Sequence, residues 1–308
     1  MKRCGLKIAI IGECMIELSK QSETLYQMAF GGDTLNMAIY FSRCGGDCDY
    51  FTVLGRDPFS QNMVKKWQDE GIGVDEIRYI EQGMPGLYII DNDDDGERSF
   101  YYWRNNSPAR RLIADFPEVF NDLCNYPYIY LSGITLSLYS DKELVVLTTF
   151  LDKYRSLDGK VIFDNNFRPS CWESVSHAKA AYTKIMQQID IALISYEDDV
   201  LMYKKHSIEE CLKRWNDSSA SEIVVKNGEH GCSLFKKGIS YHIPLDVVVS
   251  PIDTTAAGDS FNGAYLASRL AGEDPIQAIA SGQKCAANVI LHKGAIVDQS
   301  VVLTEMPA

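Results

Sequence analysis

Short apolar runs that alternate with stretches of helical length constrain the fold of this chain more than any other feature. The first run, Lys7–Ile11, ends at Gly12 and has the continuous apolar character of a buried parallel strand. Strands that alternate with helices predict an α/β fold with a doubly wound, mainly parallel sheet. Ligands bind such a sheet beyond the carboxyl ends of its strands, so the residues just after each run are candidate site residues. The predicted strands are Lys7–Ile11, Tyr128–Leu131, Lys160–Phe163, Ile191–Ile194 and Glu222–Val225, and the predicted helices are Asp33–Arg43, Phe59–Glu70, Asp141–Leu157 and Ile208–Trp215.

Two segments depart from this alternation. Met15–Phe30 and Gly86–Arg104 have the pattern of extended chain, and an acidic turn, Asp91–Glu97, separates two β-rich runs in the second segment. We interpret the turn as a solvated loop tip. We expect a small β-sheet lid from about residues 13–30 and 86–106, inserted in a single domain that spans residues 1–308. The exposed edge of such a lid favours a homo-oligomer formed through the lid.

The charge of the chain argues against two classes of partner. The formal net charge is −12 over 308 residues, so a nucleic acid or an anionic membrane surface would be repelled. No apolar run approaches the length of a membrane span. The nine cysteines are scattered without a CxxC pair, which favours reduced thiols and a cytoplasmic location. An anionic small molecule stays compatible with this charge if specific Arg or Lys residues line its site.

The strongest chemical signal is the segment Asp253–Phe261, with the sequence DTTAAGDSF. The small residues at positions 256–258 allow backbone N–H groups to approach a ligand, and a helix is predicted to follow over Ser260–Leu270. A small-residue loop before a helix N-terminus is an anion site, because free N–H groups and the helix dipole both favour negative charge. Asp259 lies beside that site, where it could accept a proton from a substrate hydroxyl or simply cap its helix. The segment alone leaves both interpretations open.

This segment resembles the C-terminal signature of the ribokinase-like (PfkB) sugar kinases, which usually reads DTTGAGDSF, so that Ala256 replaces the first glycine. A second family element, Phe30–Asn36 (FGGDTLN), lies near the other end of the chain. In it, Gly31 and Gly32 give a tight turn against the sugar, and Asn36 faces the same place one helical turn later. Two elements in the order of the family argue against a chance agreement.

Further family elements lie between these two. Asp164–Arg168 (DNNFR) matches a D-x-N-x-R element, and Lys226–Gly231 (KNGEHG) matches a nucleotide-side K-x-G-x-x-G element. The N-x-x-E element of the family, associated with magnesium and phosphate, is replaced by Ser195 and Asp198 (SYED), which keeps a carboxylate but leaves the magnesium ligand open. The resemblance implies that Asp259 is the catalytic base and that Ala256, Ala257 and Gly258 complete the catalytic group. It also implies Asp198 as a Mg²⁺ ligand, and Asp253 and Thr255 as ligands of a monovalent cation such as K⁺. The implied ATP contacts are Asn166, Ser195, Lys226, Gly228, Gly231, Ala256, Gly258 and Asn288.

The lid segment carries an arginine among aromatic residues, in Phe100–Arg104 (FYYWR). Tyr102 and Arg104 share one face if this segment is a strand, since side chains alternate. Arg168 can approach from the main domain. Two arginines around one small ligand suggest a carboxylate, which a guanidinium binds with two parallel hydrogen bonds. The alternative is that Arg104 pairs with an acid of the lid and that the aromatic residues only pack.

Several fragments resemble the 2-keto-3-deoxygluconate kinases within this family, among them GECMIELS, GERSFYYWR and VIFDNNFRP. The resemblance implies transfer of the γ-phosphoryl group of ATP to the 6-hydroxyl of 2-keto-3-deoxygluconate, which is a sugar acid. Another sugar kinase, such as a fructokinase or ribokinase, is the nearest alternative. A dehydrogenase is disfavoured because no G-x-G-x-x-G follows the first strand, and a non-catalytic binding protein is disfavoured by the intact Asp259 loop. The implied substrate contacts are Gly31, Gly32, Asp33, Asn36, Tyr88, Tyr102, Arg104 and Arg168.

Overall fold

The fold was analysed in a computed structural model that describes residues 6–92, 98–204 and 207–302. The strands are β1 (Lys7–Ile11), β2 (Met15–Lys20), β3 (Tyr26–Gly31), β4 (Asp47–Phe51), β5 (Val53–Leu54), β6 (Arg78–Tyr79), β7 (Leu87–Asn92), β8 (Arg98–Trp103), β9 (Tyr128–Ser132), β10 (Lys160–Asp164), β11 (Ile191–Ser195), β12 (Glu222–Lys226), β13 (Cys232–Lys236) and β14 (Ile239–Ile243). The helices are α1 (Asp33–Arg43), α2 (Pro58–Asp69), α3 (Leu112–Asp115), α4 (Val119–Leu123), α5 (Gly133–Leu136), α6 (Asp141–Ser156), α7 (Val175–Ile185), α8 (Tyr196–Tyr203), α9 (Ile208–Asn216), α10 (Ala257–Leu270), α11 (Pro275–Val289) and α12 (Gln299–Val302).

Eight strands form the main sheet, in the order β14-β13-β12-β11-β10-β9-β1-β4. The strands from β12 to β4 pair in parallel, whereas β13 pairs antiparallel with both β12 and the edge strand β14. The prediction of a mainly parallel sheet is therefore confirmed, and each of the five predicted strands is present. Strand β4 (DCDYF) was not predicted, because its two aspartates interrupt the apolar run.

Side chains of each central strand enter two different cores, one on each face of the sheet. In β1, Ile8 and Ile10 pack into one core, whereas Ala9 and Ile11 pack into the other. All four are almost completely buried. A strand that is covered on both faces has no polar alternation, which is why these runs are continuously apolar in the sequence. Helices on both faces confirm the doubly wound fold.

A second sheet of four strands, in the order β3-β2-β7-β8, is built from the two segments that broke the alternation. β2 pairs antiparallel with β3 and parallel with β7, and β7 pairs antiparallel with β8. We call these four strands the lid sheet. The acidic turn predicted at Asp91–Glu97 falls mostly on residues 93–97, which lie outside the described residues.

A buried carboxylate at the start of β12 ties α10 to the main sheet. Glu222 accepts hydrogen bonds from Lys236 Nζ (2.6 Å), from Arg269 Nε and Nη2 (3.0 Å each) and from the hydroxyl of Tyr265. Burial opposes ionisation of Glu222, but these hydrogen bonds outweigh it and lower the pKa of the carboxyl below its usual value. The position of α10, and hence of its first turn, is fixed by this network. Among the described helices, none has both the length and the apolar character of a membrane span.

Candidate active site

Polar side chains gather where the parallel strands of the main sheet end. Because these strands point the same way, their carboxyl ends share one edge, and the lid sheet follows directly from β1 at that edge. The polar residues at or just beyond the strand ends are Glu13 after β1, Ser132 at the end of β9, Asp164 at the end of β10, Ser195 at the end of β11 and Lys226 at the end of β12.

The loop before α10 has a left-handed turn at its last residue. Ala256 lies at φ +59°, ψ 17°, and no side chain caps the helix at that residue. The N–H of Ala257 donates to the carbonyl of Thr254 (3.1 Å), which closes the turn. A Cβ on Gly258 would lie 3.5 Å from Lys226 Nζ, so the lysine ammonium borders the first turn of the helix. The first turn of α10 with a lysine beside it is suited to bind a phosphate.

Asp259 lies in that first turn and is almost completely buried. Asn36 Nδ2 donates to Asp259 Oδ2 (2.9 Å), so the two family elements at opposite ends of the chain meet. Burial raises the pKa of Asp259 to about 8, and the negative charge of Asp33 adds to this effect. A carboxyl group with a pKa near neutral is suited to exchange a proton with a substrate hydroxyl.

Asp33 is the second acid of this region. Ser132 Oγ and Asn166 Nδ2 both donate to Asp33 Oδ2, the latter at 3.1 Å. Burial raises the pKa of Asp33 to about 6, although the hydrogen bond from Ser132 opposes the shift. Asn166, predicted as an ATP contact, therefore donates its side-chain hydrogen bond to Asp33, which is a predicted substrate contact.

Asn262, which the sequence analysis did not select, links Lys226 to Asp164. Its Oδ1 accepts a hydrogen bond from Lys226 Nζ (2.9 Å), and its Nδ2 donates to Asp164 Oδ2 (2.9 Å). Lys226 Nζ is also 3.6 Å from Asp164 Oδ1. The position of Asn262, three residues after Asp259 in the same helix, was the available signal, since residues three apart share a helix face.

Each arginine of the predicted substrate site is paired with a carboxylate of the chain. Arg104 Nη2 lies 2.6 Å from Glu13 Oε2, and Arg104 Nη1 donates to Cys171 Sγ (2.8 Å). Arg168 Nη1 donates to Asp198 Oδ1 (2.7 Å). The Arg168 side chain is 46% exposed, whereas that of Arg104 is 9% exposed. The structure therefore brings both guanidinium groups to the site, but it engages them with acids of the chain.

Two tyrosines of the lid sheet lie side by side. Tyr88 and Tyr102 are direct partners across β7 and β8, with ring centroids 5.9 Å apart. The hydroxyl of Tyr88 donates to Glu17. Burial raises the pKa of Tyr102, and the positive charges of Arg104 and Arg168 oppose the shift.

The predicted glycine pair sits at a close approach between backbone and lid. A Cβ on Gly31 would lie 2.3 Å from the hydroxyl of Tyr88, and a Cβ on Gly32 would lie 2.2 Å from the carbonyl oxygen of Glu13. Neither position can hold a side chain without displacing its neighbour. The glycine pair therefore packs tightly where β3 of the lid sheet leads into α1.

Ser195 and Asp198 occupy the place of the metal-linked family element. Ser195 Oγ accepts a hydrogen bond from the backbone N–H of Asp198 (3.4 Å) at the start of α8. Burial raises the pKa of Asp198, and the charge of Arg168 opposes the shift. Within the described residues, no cluster of three or more His, Cys, Asp or Glu side chains could hold a metal ion by itself. Mg²⁺ commonly needs only one or two carboxylates when substrate phosphates and water complete its shell, so Asp198 fits such a role.

The glycines of the KNGEHG element adopt positive φ values, +52° at Gly228 and +78° at Gly231. The N–H of Asn227 donates to the carbonyl of Gly231 (2.9 Å), and a Cβ on Gly231 would lie 2.3 Å from Ile243 O. Both glycines are thus required by the backbone.

A cavity of about 390 Å³ lies along α11, which also carries the predicted ATP contact Asn288. Asn288 itself is buried, and its Nδ2 donates to Val301 O (3.4 Å). Its neighbour Ala287 lines the cavity. The residues that line the cavity are Leu245, Asp246, Val247, Ala280, Ser281, Gln283, Lys284 and Ala287.

Asp253 holds the loop that leads to Ala256. Its Oδ1 accepts a hydrogen bond from the N–H of Thr255 (2.9 Å), and its Oδ2 accepts one from the N–H of Gly294 (2.7 Å). The predicted monovalent-cation loop is thus a compact turn that joins two segments of the chain.

The fold and this edge define a phosphotransferase-like site, with a buried acid beside a phosphate-binding helix end and a lid sheet opposite. A family model described as "pfkB family carbohydrate kinase" matches residues 6–301. The chain belongs to this family.

Comparisons with curated proteins and solved structures agree with this membership. The chain is 41% identical to a 2-dehydro-3-deoxygluconokinase of Dickeya dadantii (98% of both chains) and 37% identical to one of Escherichia coli K12 (96% of this chain, 98% of the other). A crystal structure of a putative ribokinase II from E. coli in complex with ATP and Mg²⁺ has a TM-score of 0.81, 20% identity and 94% coverage of both chains. The ribokinase-like fold is therefore confirmed.

Asp259→Asn should stabilise the protein at alkaline pH. The pKa of Asp259 is about 8 in the folded chain and about 3.9 in an unfolded one. Between these values the folded state binds more protons, so stability falls as pH rises and the full cost is present above pH 8. Asparagine carries no charge and avoids this cost. We expect a higher Tm than wild type at pH 9 and a smaller difference at pH 6.

Thermal unfolding at several pH values measures this effect, and Asp75→Asn at an exposed position is the control. An Asp259→Asn variant that unfolds below wild type at pH 9 would show that the carboxyl is not desolvated.

Proposed function

We propose that this protein transfers the γ-phosphoryl group of ATP to the 6-hydroxyl of 2-keto-3-deoxygluconate, giving 2-keto-3-deoxy-6-phosphogluconate. The observation that carries the proposal is the buried Asp259 in the first turn of α10, held by Asn36 of the glycine-pair element. The identity of 41% over nearly full length to a 2-dehydro-3-deoxygluconokinase, the same substrate under another name, supports the choice of sugar acid.

In the proposed mechanism, Asp259 accepts the proton of the 6-hydroxyl as the oxygen attacks the γ-phosphorus in line. The loop of Ala256, Ala257 and Gly258 stabilises the transferred group through its backbone N–H groups, of which that of Ala257 also closes the turn on Thr254. Lys226, whose ammonium borders the same turn, adds positive charge. Mg²⁺, for which Asp198 is the proposed ligand, would neutralise charge on the ATP phosphates. The lid sheet excludes water and so limits hydrolysis of ATP.

The substrate carboxylate is proposed to bind Arg104 and Arg168. The Arg168 side chain is half exposed, so its guanidinium can reach a ligand without a change in the backbone of the loop that follows β10. Tyr102, whose pKa responds to the charges of both arginines, is proposed to supply a hydroxyl to the same group. The full proposed substrate site is Gly31, Gly32, Asp33, Asn36, Tyr88, Tyr102, Arg104 and Arg168.

ATP is proposed to lie between the end of β12 and helix α11. The glycine loop after β12 and the cavity along α11 meet at Ile243: its carbonyl oxygen packs against Gly231 and accepts a hydrogen bond from Gln283 Nε2 (3.4 Å), and Gln283 lines the cavity. This contact supports a place there for the nucleotide. The proposed ATP contacts are Asn166, Ser195, Lys226, Gly228, Gly231, Ala256, Gly258 and Asn288. We also propose a cytoplasmic location, since the nine cysteines are scattered along the sequence without a CxxC pair.

A coupled assay of ADP release over a panel of sugars and sugar acids tests the function. We expect 2-keto-3-deoxygluconate to be preferred over fructose and ribose by about a hundredfold or more in kcat/KM, because a neutral sugar offers the two guanidinium groups no carboxylate to bind. A preference for fructose or ribose would point to another sugar kinase of the family.

The Asp259→Asn variant should lose about 10²–10⁴-fold in kcat in the same assay, because it lacks the base that accepts the hydroxyl proton.

Potassium activation is a further proposal for the loop of Asp253 and Thr255. The loop joins the segment before α10 to Gly294, so a bound cation would stiffen the anion site. Replacing potassium chloride by choline chloride at constant ionic strength should lower kcat. Equal rates in the two salts would remove the cation from the proposal.

A homo-oligomer through the lid sheet is proposed from its exposed surface. β8 is an edge strand, and the side chains of Tyr101 and Trp103 are more than half exposed. Sedimentation of the protein should show a dimer or larger species, and Trp103→Asp should shift it towards monomer. A wild-type protein that sediments as a monomer at micromolar concentration would contradict this proposal.

A further inference from the structure

Glu13 is a buried carboxylate that none of the family elements above assigns to the site. It lies in the turn between β1 and β2, where the chain passes from the main sheet into the lid sheet. Only 2% of its surface is exposed. Its carbonyl oxygen packs against Gly32, since a Cβ on that glycine would approach it to 2.2 Å. The backbone of Glu13 is therefore part of the wall of the proposed sugar site.

The side chain of Glu13 faces the arginine of the lid. Its Oε2 lies 2.6 Å from Arg104 Nη2, and both side chains are more than nine-tenths buried. Cys171 Sγ, from the loop after β10, accepts a hydrogen bond from Arg104 Nη1 on another side of the guanidinium. Arg104 follows the last residue of β8, so one lid side chain is held by two separate parts of the main domain.

The contact with Glu13 is an ion pair that leaves hydrogen-bonding capacity unused. Among the described residues, no acceptor is aligned to form a hydrogen bond with Nε or Nη2 of Arg104. Likewise, no described donor is aligned to form a hydrogen bond with either carboxylate oxygen of Glu13. Buried donors without a partner cost free energy unless a ligand or water satisfies them. An incoming carboxylate is a suitable partner for such donors.

The charge balance explains why Glu13 is needed for this arrangement. The other carboxylate that acts on Arg104 is Asp33, but its charge stabilises the guanidinium less than that of Glu13 does. Without Glu13, the guanidinium would be a poorly compensated buried cation and would move towards solvent. Holding it in place before the substrate arrives also avoids the loss of side-chain entropy on binding.

We propose that Glu13 is a positioning residue for carboxylate recognition: it fixes the guanidinium of Arg104 at the sugar site so that the substrate carboxylate meets it in place. This inference rests on the proposed function. It assigns Glu13 no contact with the reacting atoms and no role in proton transfer.

The test is a double-mutant cycle of Glu13→Gln and Arg104→Gln with 2-keto-3-deoxygluconate as substrate. Glutamine keeps the shape of Glu13 but removes its charge. We expect Glu13→Gln to raise the KM for the sugar acid about 10-fold to 100-fold, the usual effect of removing a group that orients a ligand contact. The kcat value and the KM for ATP should stay within about threefold of wild type. In the Arg104→Gln background the same change should have little further effect, because its target is absent.

Glu70→Gln is the matched control. Glu70 pairs with Arg43 at the C-terminal end of α1, away from the site, through hydrogen bonds of 2.7 and 2.6 Å. Arg43 is also buried, so both variants break a buried Arg–Glu pair and both should lower Tm. Only Glu13→Gln should change the KM for the sugar acid.

Three outcomes would overturn the inference. The first is a Glu13→Gln enzyme with an unchanged KM for the sugar acid, and the second is equal effects of Glu13→Gln with and without Arg104. The third is a uniform loss of kcat towards every substrate, which would indicate a structural role alone. A wild-type protein that accepts no sugar acid would instead refute the proposed function, and the inference with it.

Discussion

The hydrogen bond between Asn36 and Asp259 joins the two halves of the site. Asn36 lies in the first helix of the chain, and Asp259 lies in the first turn of α10, 223 residues later. Both helices must pack correctly on the same face of the main sheet for these side chains to meet. Glu222, which ties α10 to β12, therefore contributes to the site from a distance. The site is a product of the whole fold.

Several carboxylates lie at the carboxyl edge of the sheet, and individual basic side chains neutralise some of them. Asp164 faces Lys226, and Asp198 faces Arg168. Asp259 has no cation as its main partner and instead keeps a raised pKa. An acid left without a strong counter-charge is the one best suited to exchange a proton. The surrounding pairs thus isolate one carboxyl group for chemistry.

The sequence predicted the central strands because continuous apolar runs bounded by polar residues have few other structural solutions. It also predicted that Asn36 and Asp259 belong to the same site, because each lies in a segment that resembles an element of the sugar-kinase family. It could not predict the partners of Arg104, because Glu13 and Cys171 are distant in sequence and become neighbours only when the lid sheet packs on the main sheet. The alternative that Arg104 pairs with an acid was raised from sequence, but the acid could not be identified there.

The left-handed backbone of Ala256 has a consequence for how this loop is recognised. An alanine at positive φ costs about 1–2 kcal/mol, but it also loses less backbone entropy on folding than glycine, a difference of about 0.5–1 kcal/mol. The two effects partly cancel, so the turn can be built without glycine at modest cost. Any search pattern that insists on glycine at this position discards proteins whose phosphate-binding turn is intact, and a pattern written in backbone angles would retain them.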